Sequence, residues 1–361
     1  MSKNLIVSLL RLGFLGLSGA LLVVALSPPM QRWLDRHGFI PNQYGYGDLY
    51  NMSNLPEFKE TDISANGDLT EADKPAKHYP DVDLYTLGDS FTNIDTSFYA
   101  GNRNFHRWVG NRIPLEVTLD TTKTNILVVQ IIERVLQERM YSPEYESMFI
   151  NGGFVPMGTA KPVLKQAEEA PKPWLLARFG EEINQRIEFL LFNGPLFVRF
   201  KEAKAELLFR LFGRTAGTAA SKDKKHLFYQ VEVDTTSTYS SFRSITNQRL
   251  DTLVNNLNTL RRHYLKMGFK EVYLCLVPNK VTILDPTYGV YNHQIERLEA
   301  NPRLELPIIS TIDTLRQHPD WYHLGDGHWN KKGKKFWLRE VNKVAASWSG
   351  KKTQGSEVRL H

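Results

Sequence analysis

The clearest signal along the chain is a set of short apolar runs separated by longer stretches of helical spacing. The runs begin at Asp83 and Leu84 in DLYTLG and continue with LEVTL at 115–119, NILVVQII at 125–132, EVYLCLVP at 271–278 and PIIST at 307–311. They are rich in Val and Ile and mostly apolar at both odd and even positions, as expected of central strands in a parallel sheet covered on both faces. Between the first two lies FHRWVGNRI, which reads as a helix. LDTLVNNLNTLRRHYLKMGF places Leu250, Leu253, Val254, Leu257, Leu260, Tyr264 and Leu265 at helix spacing, with Gly268 as the stop. KKFWLREVNKVAASW supplies a last helix. Strands alternating with helices predict an α/β fold with a doubly wound, mostly parallel sheet.

Three regions depart from this rhythm. From Leu12 to Met30 there are 19 residues without a charge, preceded by Lys3 and Arg11. That length spans a bilayer, and the flanking positive residues favour an N-inside, single-pass anchor over residues 1–30. Pro28 and Pro29 follow the best small-residue site, Ala25-Leu26-Ser27, which favours an uncleaved anchor over a signal peptide. Residues 31–80 are polar and turn-rich and read as a connector to a domain over 81–348. Within that domain, residues 155–235 form a helical insertion: EEINQRIEFLLF, then PLFVRFKEAKAELLFRLFGR, with Leu196, Phe200, Leu207 and Leu211 on one stripe and Phe197, Leu208 and Phe212 beside it. The expectation is a packed insertion, with a membrane-surface or partner-docking helix as the alternative. TAGTAASKDKK reads as a surface loop, and 349–361 as a flexible tail.

Composition narrows the class. The 361 residues are 42% apolar, enough for a full core, and carry a formal charge of +6. Lys and Arg are spread along the chain apart from short clusters such as SKDKKH and NKKGKK, so nucleic acid is not an expected partner. A polyanionic substrate or an anionic membrane surface suits mild basicity. The single cysteine, Cys275, sits inside EVYLCLVP and reads as a packed thiol. No CxxC or HExxH pattern exists, and neither a metal nor another cofactor is expected.

The chemistry is concentrated in two segments. LYTLGDSFTN ends a strand with a turn that presents Ser90 at the carboxyl edge of the sheet, and GDGHWNKKG brings Asp326 and His328 near the other end of the chain. A hydroxyl becomes a nucleophile when an imidazole takes its proton and a carboxylate fixes the imidazole's tautomer. Ser90, His328 and Asp326 can fill these roles. GDSF alone is common at ordinary turns, and Asp326 could instead cap the terminal helix; it is the pair of segments that points to acyl transfer.

GDSF early and DGHWN late, on alternating strands and helices, resemble the SGNH or GDSL hydrolase superfamily. VQIIERVL at 129–136 and LVPNKVTILDP at 276–286 narrow the resemblance to the membrane-anchored, SGNH-like proteins related to alginate O-acetyltransferases of bacterial exopolysaccharide gene clusters, over roughly residues 81–345. The resemblance implies a flavodoxin-like three-layer domain held in the periplasm by a helix in the inner membrane. It also implies acetyl transfer to a polysaccharide through the GDS serine, with a multipass membrane O-acyltransferase as partner. Two features differ: the alginate proteins place their D-x-H-W pair before the serine, and no glycine and asparagine blocks of an SGNH oxyanion hole stand out. Gly101 in YAGNRN and Asn93 in DSFTN are candidates by position. Glu133 and Arg134 at the end of a strand, Lys280 after another, and Asp89 and Trp329 beside the triad complete the oxyanion and substrate candidates. A carbohydrate esterase with the same triad and a non-catalytic polysaccharide-binding scaffold are the competing expectations.

Overall fold

The computed structural model describes residues 3–27, 30, 33–34, 37, 52, 55–60, 68–108, 115–140, 154–157, 165–166, 195–215 and 217–350. The chain divides into two compact units, one made of residues 1–59 and 169–216, the other of 60–168 and 217–361. The connector expected at 31–80 is therefore shared, its part from Glu60 onward belonging to the second unit.

In the second unit β1 (Val82–Gly88), β2 (Asn104–Trp108), β3 (Leu115–Asp120), β4 (Thr124–Ile132), β5 (Phe154–Met157), β6 (Lys165–Gln166), β7 (Thr218–Ala220), β8 (Leu227–Tyr229) and β9 (Glu271–Val277) follow in chain order. A four-stranded sheet runs β2-β1-β4-β9, with every pairing parallel. Leu84 stands between Asn104 and Ile126, and Val128 beside Tyr273. All seven residues of β1 and eight of the nine in β4 are buried. Burial of each large apolar side chain there contributes about 1.5–3 kcal/mol, which makes this sheet the centre of the core.

Neighbouring residues of β1 show that both faces are covered. Tyr85 meets Phe269 edge-on at 5.3 Å, and Phe269 packs on Tyr264 of the helix Asn247–Lys266. Thr86, facing the opposite way, shares a hydrogen bond with Tyr99, whose hydroxyl accepts from Trp337 Nε1 of the helix Lys331–Trp348 at 3.1 Å. The helix Asn247–Lys266 starts where Thr246 Oγ1 accepts from Arg249 N, and buries Leu250, Leu253, Val254, Leu257, Leu260 and Tyr264. Just past its end Gly268 has φ +112°, a conformation that a side chain would strain.

Four local expectations change. FHRWVGNRI does not give a helix: β2 occupies Asn104–Trp108 as the sheet edge, its Phe105 lying against Tyr85 and His106 Nδ1 within 2.9 Å of Thr86 Oγ1. Residues 109–114 lie outside the described ones. LEVTL is a strand but not a member of the main sheet; β3 pairs with β5 in parallel and β6 antiparallel. The turn between β3 and β4 is too short for the crossover that parallel neighbours require. PIIST touches the sheet through a single parallel bridge, Ile308 to Leu274. TAGTAASKDKK is a hairpin rather than a loop: β7 and β8 pair across a turn in which Ser221 Oγ accepts from the amides of Lys225 and His226.

The first unit contains α1 (Lys3–Leu26), whose stretch Leu5–Val24 has a mean hydropathy of 2.0 and no residue buried. Among the described residues one helix is thus long and apolar enough to cross a membrane. The segment EEINQRIEFLLF lies outside the described residues. PLFVRFKEAKAELLFRLF forms the helix Pro195–Phe212, but the expectation that it is packed needs correction. Among its described side chains Ala205 alone is buried, with half-buried Phe209 set against Phe58 at 5.5 Å, while Phe200, Leu207, Leu211 and Phe212 are 56–67% exposed.

Candidate active site

β1 delivers the chain to the carboxyl edge of the sheet and stops at Gly88, because the next turn comes too close for any side chain. A Cβ on Gly88 would lie 2.0 Å from Thr92 Oγ1 and 2.7 Å from Gln130 Oε1. Gln130, a polar residue buried in the middle of β4, uses that oxygen to accept from the amide of Asp89 at 2.9 Å and the hydroxyl of Thr92 at 3.3 Å. Asp89 Oδ1 then accepts from Phe91 N at 3.0 Å and starts the short 3-10 turn Ser90–Thr92. Its two neighbours are buried and Ser90 alone is exposed.

Ser90 Oγ lies 2.6 Å from His328 Nε2, and His328 Nδ1 lies 2.6 Å from Asp326 Oδ1. The same carboxylate oxygen accepts the amide of His328 at 2.8 Å, so one group fixes both the backbone and the ring. With Nδ1–H donating to Asp326, Nε2 presents its lone pair to the serine hydroxyl. This is the geometry of a nucleophile, a base and an orienter. Asp326 does not cap the terminal helix; Asn330 does, its side chain accepting from Lys332 N.

The loop carrying Asp326 and His328 is held from several sides. Tyr322 Oη donates to Pro278 O at 2.8 Å, and Glu60 Oε2 accepts from Leu324 N at 3.2 Å. Gly327 faces the ring of Tyr229, where a Cβ would come within 2.2 Å. Lys280, expected to touch substrate, is fully buried instead, and its Nζ donates to the carbonyls of Leu324 at 2.6 Å and Asp326 at 3.2 Å. A buried ammonium needs such partners, and here they are the loop's backbone. Trp329 is likewise no substrate contact: it is fully buried and its Nε1 donates to Phe91 O at 2.7 Å. That bond ties the base-bearing loop to the serine turn.

The remaining candidates separate. Gly101 is excluded from the site, since it bridges Tyr79 beside the first residues of β1, at the opposite edge of the sheet from Ser90. Six residues of strand, about 20 Å, lie between. Asn93 is exposed, three positions past Ser90. Arg134 reaches the site: its guanidinium stands 5.9 Å from the Phe91 ring centroid and 4.8 Å from that of Tyr229, and the Phe91 ring is 4.6 Å from that of His328. Its Nη1 donates to Glu232 at 2.8 Å, whose side chain is fully buried. Burial alone would lower the Arg134 pKa, but the charge and hydrogen bond of Glu232 raise it overall.

Glu133 turns away from solvent. Its Oε2 accepts from Asn279 N at 2.9 Å and Thr282 Oγ1 at 2.6 Å, while Asn279 Oδ1 accepts from Arg134 N. Burial, helped by the charges of Glu232 and Glu296 against those two hydrogen bonds, pushes its carboxyl up from 4.5 to about 7. Between these values the folded chain keeps a proton that the unfolded chain releases, so stability falls as pH rises through that window, by up to about 1.4 kcal/mol per pH unit, and levels off above it. Glu133→Gln should flatten this slope. Urea unfolding of the full chain in detergent at about pH 5 and about pH 8 measures it, and an unchanged slope in the variant would remove Glu133 as the cause.

Sequence reading missed Gln130, Asn279, Glu232 and Tyr229. The signal for Gln130 was available, as the one polar residue past Asn125 in NILVVQII; Glu232 and Tyr229 lay in a region read as insertion. The fold and site together define an α/β chain with a serine–histidine–aspartate array at the carboxyl edge of a parallel sheet. No protein-family model, no curated protein and no solved structure matches this chain.

Proposed function

We propose that the chain is an SGNH-like serine O-acyltransferase that carries an acetyl group on Ser90 and passes it to a hydroxyl of an extracytoplasmic polysaccharide. The observation that carries this reading is the unbroken array Ser90–His328–Asp326, with both links at 2.6 Å. Ser90 Oγ attacks the donor's acyl carbonyl while His328 Nε2 takes its proton, and Asp326 stabilises the resulting imidazolium. The tetrahedral intermediate collapses to acetyl-Ser90, and His328 returns the proton to the leaving group. A sugar hydroxyl, deprotonated by the same nitrogen, then attacks the acetyl carbonyl and frees Ser90. Arg134, its guanidinium 5.9 Å from the Phe91 ring centroid, is a cation that would serve an oxyanion or an acidic sugar.

The sheet order supports the SGNH-like reading. With the Ile308 bridge as a fifth position, the order is that of flavodoxin-like doubly wound sheets, and Ser90 follows the strand at the switch point. An inner-membrane position with the domain in the periplasm, and a multipass membrane acyltransferase as donor, belong to the same proposal. Exposure of Ser90 favours one alternative, in which water is the acceptor and the chain is a carbohydrate esterase.

Incubation of the purified chain with an activated acetyl ester should add one acetyl group at Ser90, found by peptide mass spectrometry, and added oligosaccharide should speed its loss. An adduct that decays at the same rate with and without sugar supports the esterase. A folded chain that takes up no acetyl at Ser90 from any of a series of activated esters would overturn both readings.

A further inference from the structure

Helix Pro195–Phe212 has two apolar sides that meet different surroundings. One side packs on protein through Ala205 and through Phe209 against Phe58, and is tied by Arg210 to Glu57 at 2.9 Å, with Glu206 one turn earlier on the same helix holding the guanidinium at 2.9 Å. The helix is therefore held in one rotation about its axis. The other side presents Phe200 at 67%, Leu207 at 56% and Leu211 at 65% exposure. At 3.6 residues per turn these three fall within about 40° of one another, a continuous stripe rather than scattered apolar positions.

The charges around that stripe show what suits it. The segment from Pro195 to Arg214 holds five basic residues, Arg199, Lys201, Lys204, Arg210 and Arg214, against two acidic ones, Glu202 and Glu206. Lys204 lies within the stripe itself and is exposed. A lysine there would be costly against a protein core, but its stem can lie along acyl chains while its ammonium reaches a headgroup phosphate. Phe58 and Glu57, on which the helix rests, follow the helix Lys3–Leu26 in the chain and share its compact unit. The same unit thus contains a helix fit to cross a bilayer and a basic helix with one bare apolar stripe.

We propose that helix Pro195–Phe212 lies in the surface of an anionic bilayer, with Phe200, Leu207 and Leu211 sunk among the acyl chains. This is the arrangement of interfacial amphipathic helices, in which apolar burial and attraction of basic residues to anionic lipid act together. It gives the chain a second membrane contact beside its spanning segment. It does not depend on the chemistry at Ser90.

The test uses the full chain reconstituted in vesicles of phosphatidylethanolamine and phosphatidylglycerol, with a nitroxide on a single cysteine in Phe200→Cys, Leu211→Cys or Arg199→Cys. The first two positions are exposed, so substitution leaves the fold intact, and native Cys275 is fully buried and out of reach of the label. At Phe200 and Leu211 collisions with oxygen should exceed those with a water-soluble nickel chelate several-fold, and at Arg199, about 100° round the helix, the order should reverse. Equal collision rates at all three sites, as for a helix in water, would overturn the proposal. So would a label at 200 and 211 that is immobilised and shielded from both reagents, which would mean that a second copy or another protein covers the stripe.

Discussion

On the proposed function, Asp326→Asn should lower the rate of Ser90 acetylation by on the order of 10⁴-fold while leaving the fold and its melting temperature nearly unchanged. The carboxylate accepts from both the amide and Nδ1 of His328, and it is the negative charge that selects the tautomer with Nε2 free. An asparagine keeps the shape but can offer an N–H to the ring, which turns the proton toward Ser90 and removes the base. Ser90→Ala gives no adduct at that position at all. Stopped-flow acylation with an activated ester measures the first variant, and peptide mapping the second. A decrease of less than about tenfold in Asp326→Asn would mean that the carboxylate serves the loop's structure rather than the proton transfer.

Trp329→Ala has the largest expected effect on stability. The indole is fully buried, meets Phe91 edge-on at 5.3 Å and lies 6.3 Å from Trp337. Truncation of a buried aromatic costs about 3–5 kcal/mol, and the Phe91 carbonyl loses its donor as well. A fall in melting temperature on the order of 10 °C follows. Trp329→Phe separates the two contributions, keeping most of the packing and losing the bond to Phe91 O. If that bond positions Ser90, Trp329→Phe should acylate more slowly than its modest loss of stability explains; an unchanged rate would confine Trp329 to packing.

Much of this architecture can be read from residue order. DLYTLG, NILVVQII and EVYLCLV are mostly apolar at both odd and even positions because both sides of the sheet are covered, and that near-continuous burial is written in the composition of the strands. The position of LEVTL was also legible: only Asp120, Thr121, Thr122, Lys123 and Thr124 separate it from NILVVQII, too few for a parallel crossover. The strand at Asn104–Trp108 was not, because an edge strand buries only part of itself and FHRW fits either period. At the site, Ser90, Asp326 and His328 were recoverable since their chemistry needs those residue types in strand-end and loop contexts. The supports were not. Glu232 partners Arg134 from 98 positions away and Lys280 reaches the loop from 44, separations that carry no local pattern. Lys280 also shows why polarity misleads: a lysine at a strand's carboxyl edge suggests a ligand contact, yet its charge is spent on two carbonyls of its own chain.

The bonds that join the serine turn to its base, Ser90 to His328 and Phe91 to Trp329, each link residues 238 positions apart. Chain synthesis therefore separates the two halves of the site in time. The apolar helix Lys3–Leu26 and the strand leading to Ser90 are made before the base, and Ser90 waits through 238 positions before His328 exists. Contacts of such long range form only after the intervening segments have condensed. On the proposed function, proton removal from Ser90 waits for the loop that carries His328, and a chain interrupted before Trp321 would hold Ser90 and the strands of its sheet without that base. Under the proposed function, synthesis of the loop Asp326–His328 is the step that arms the serine.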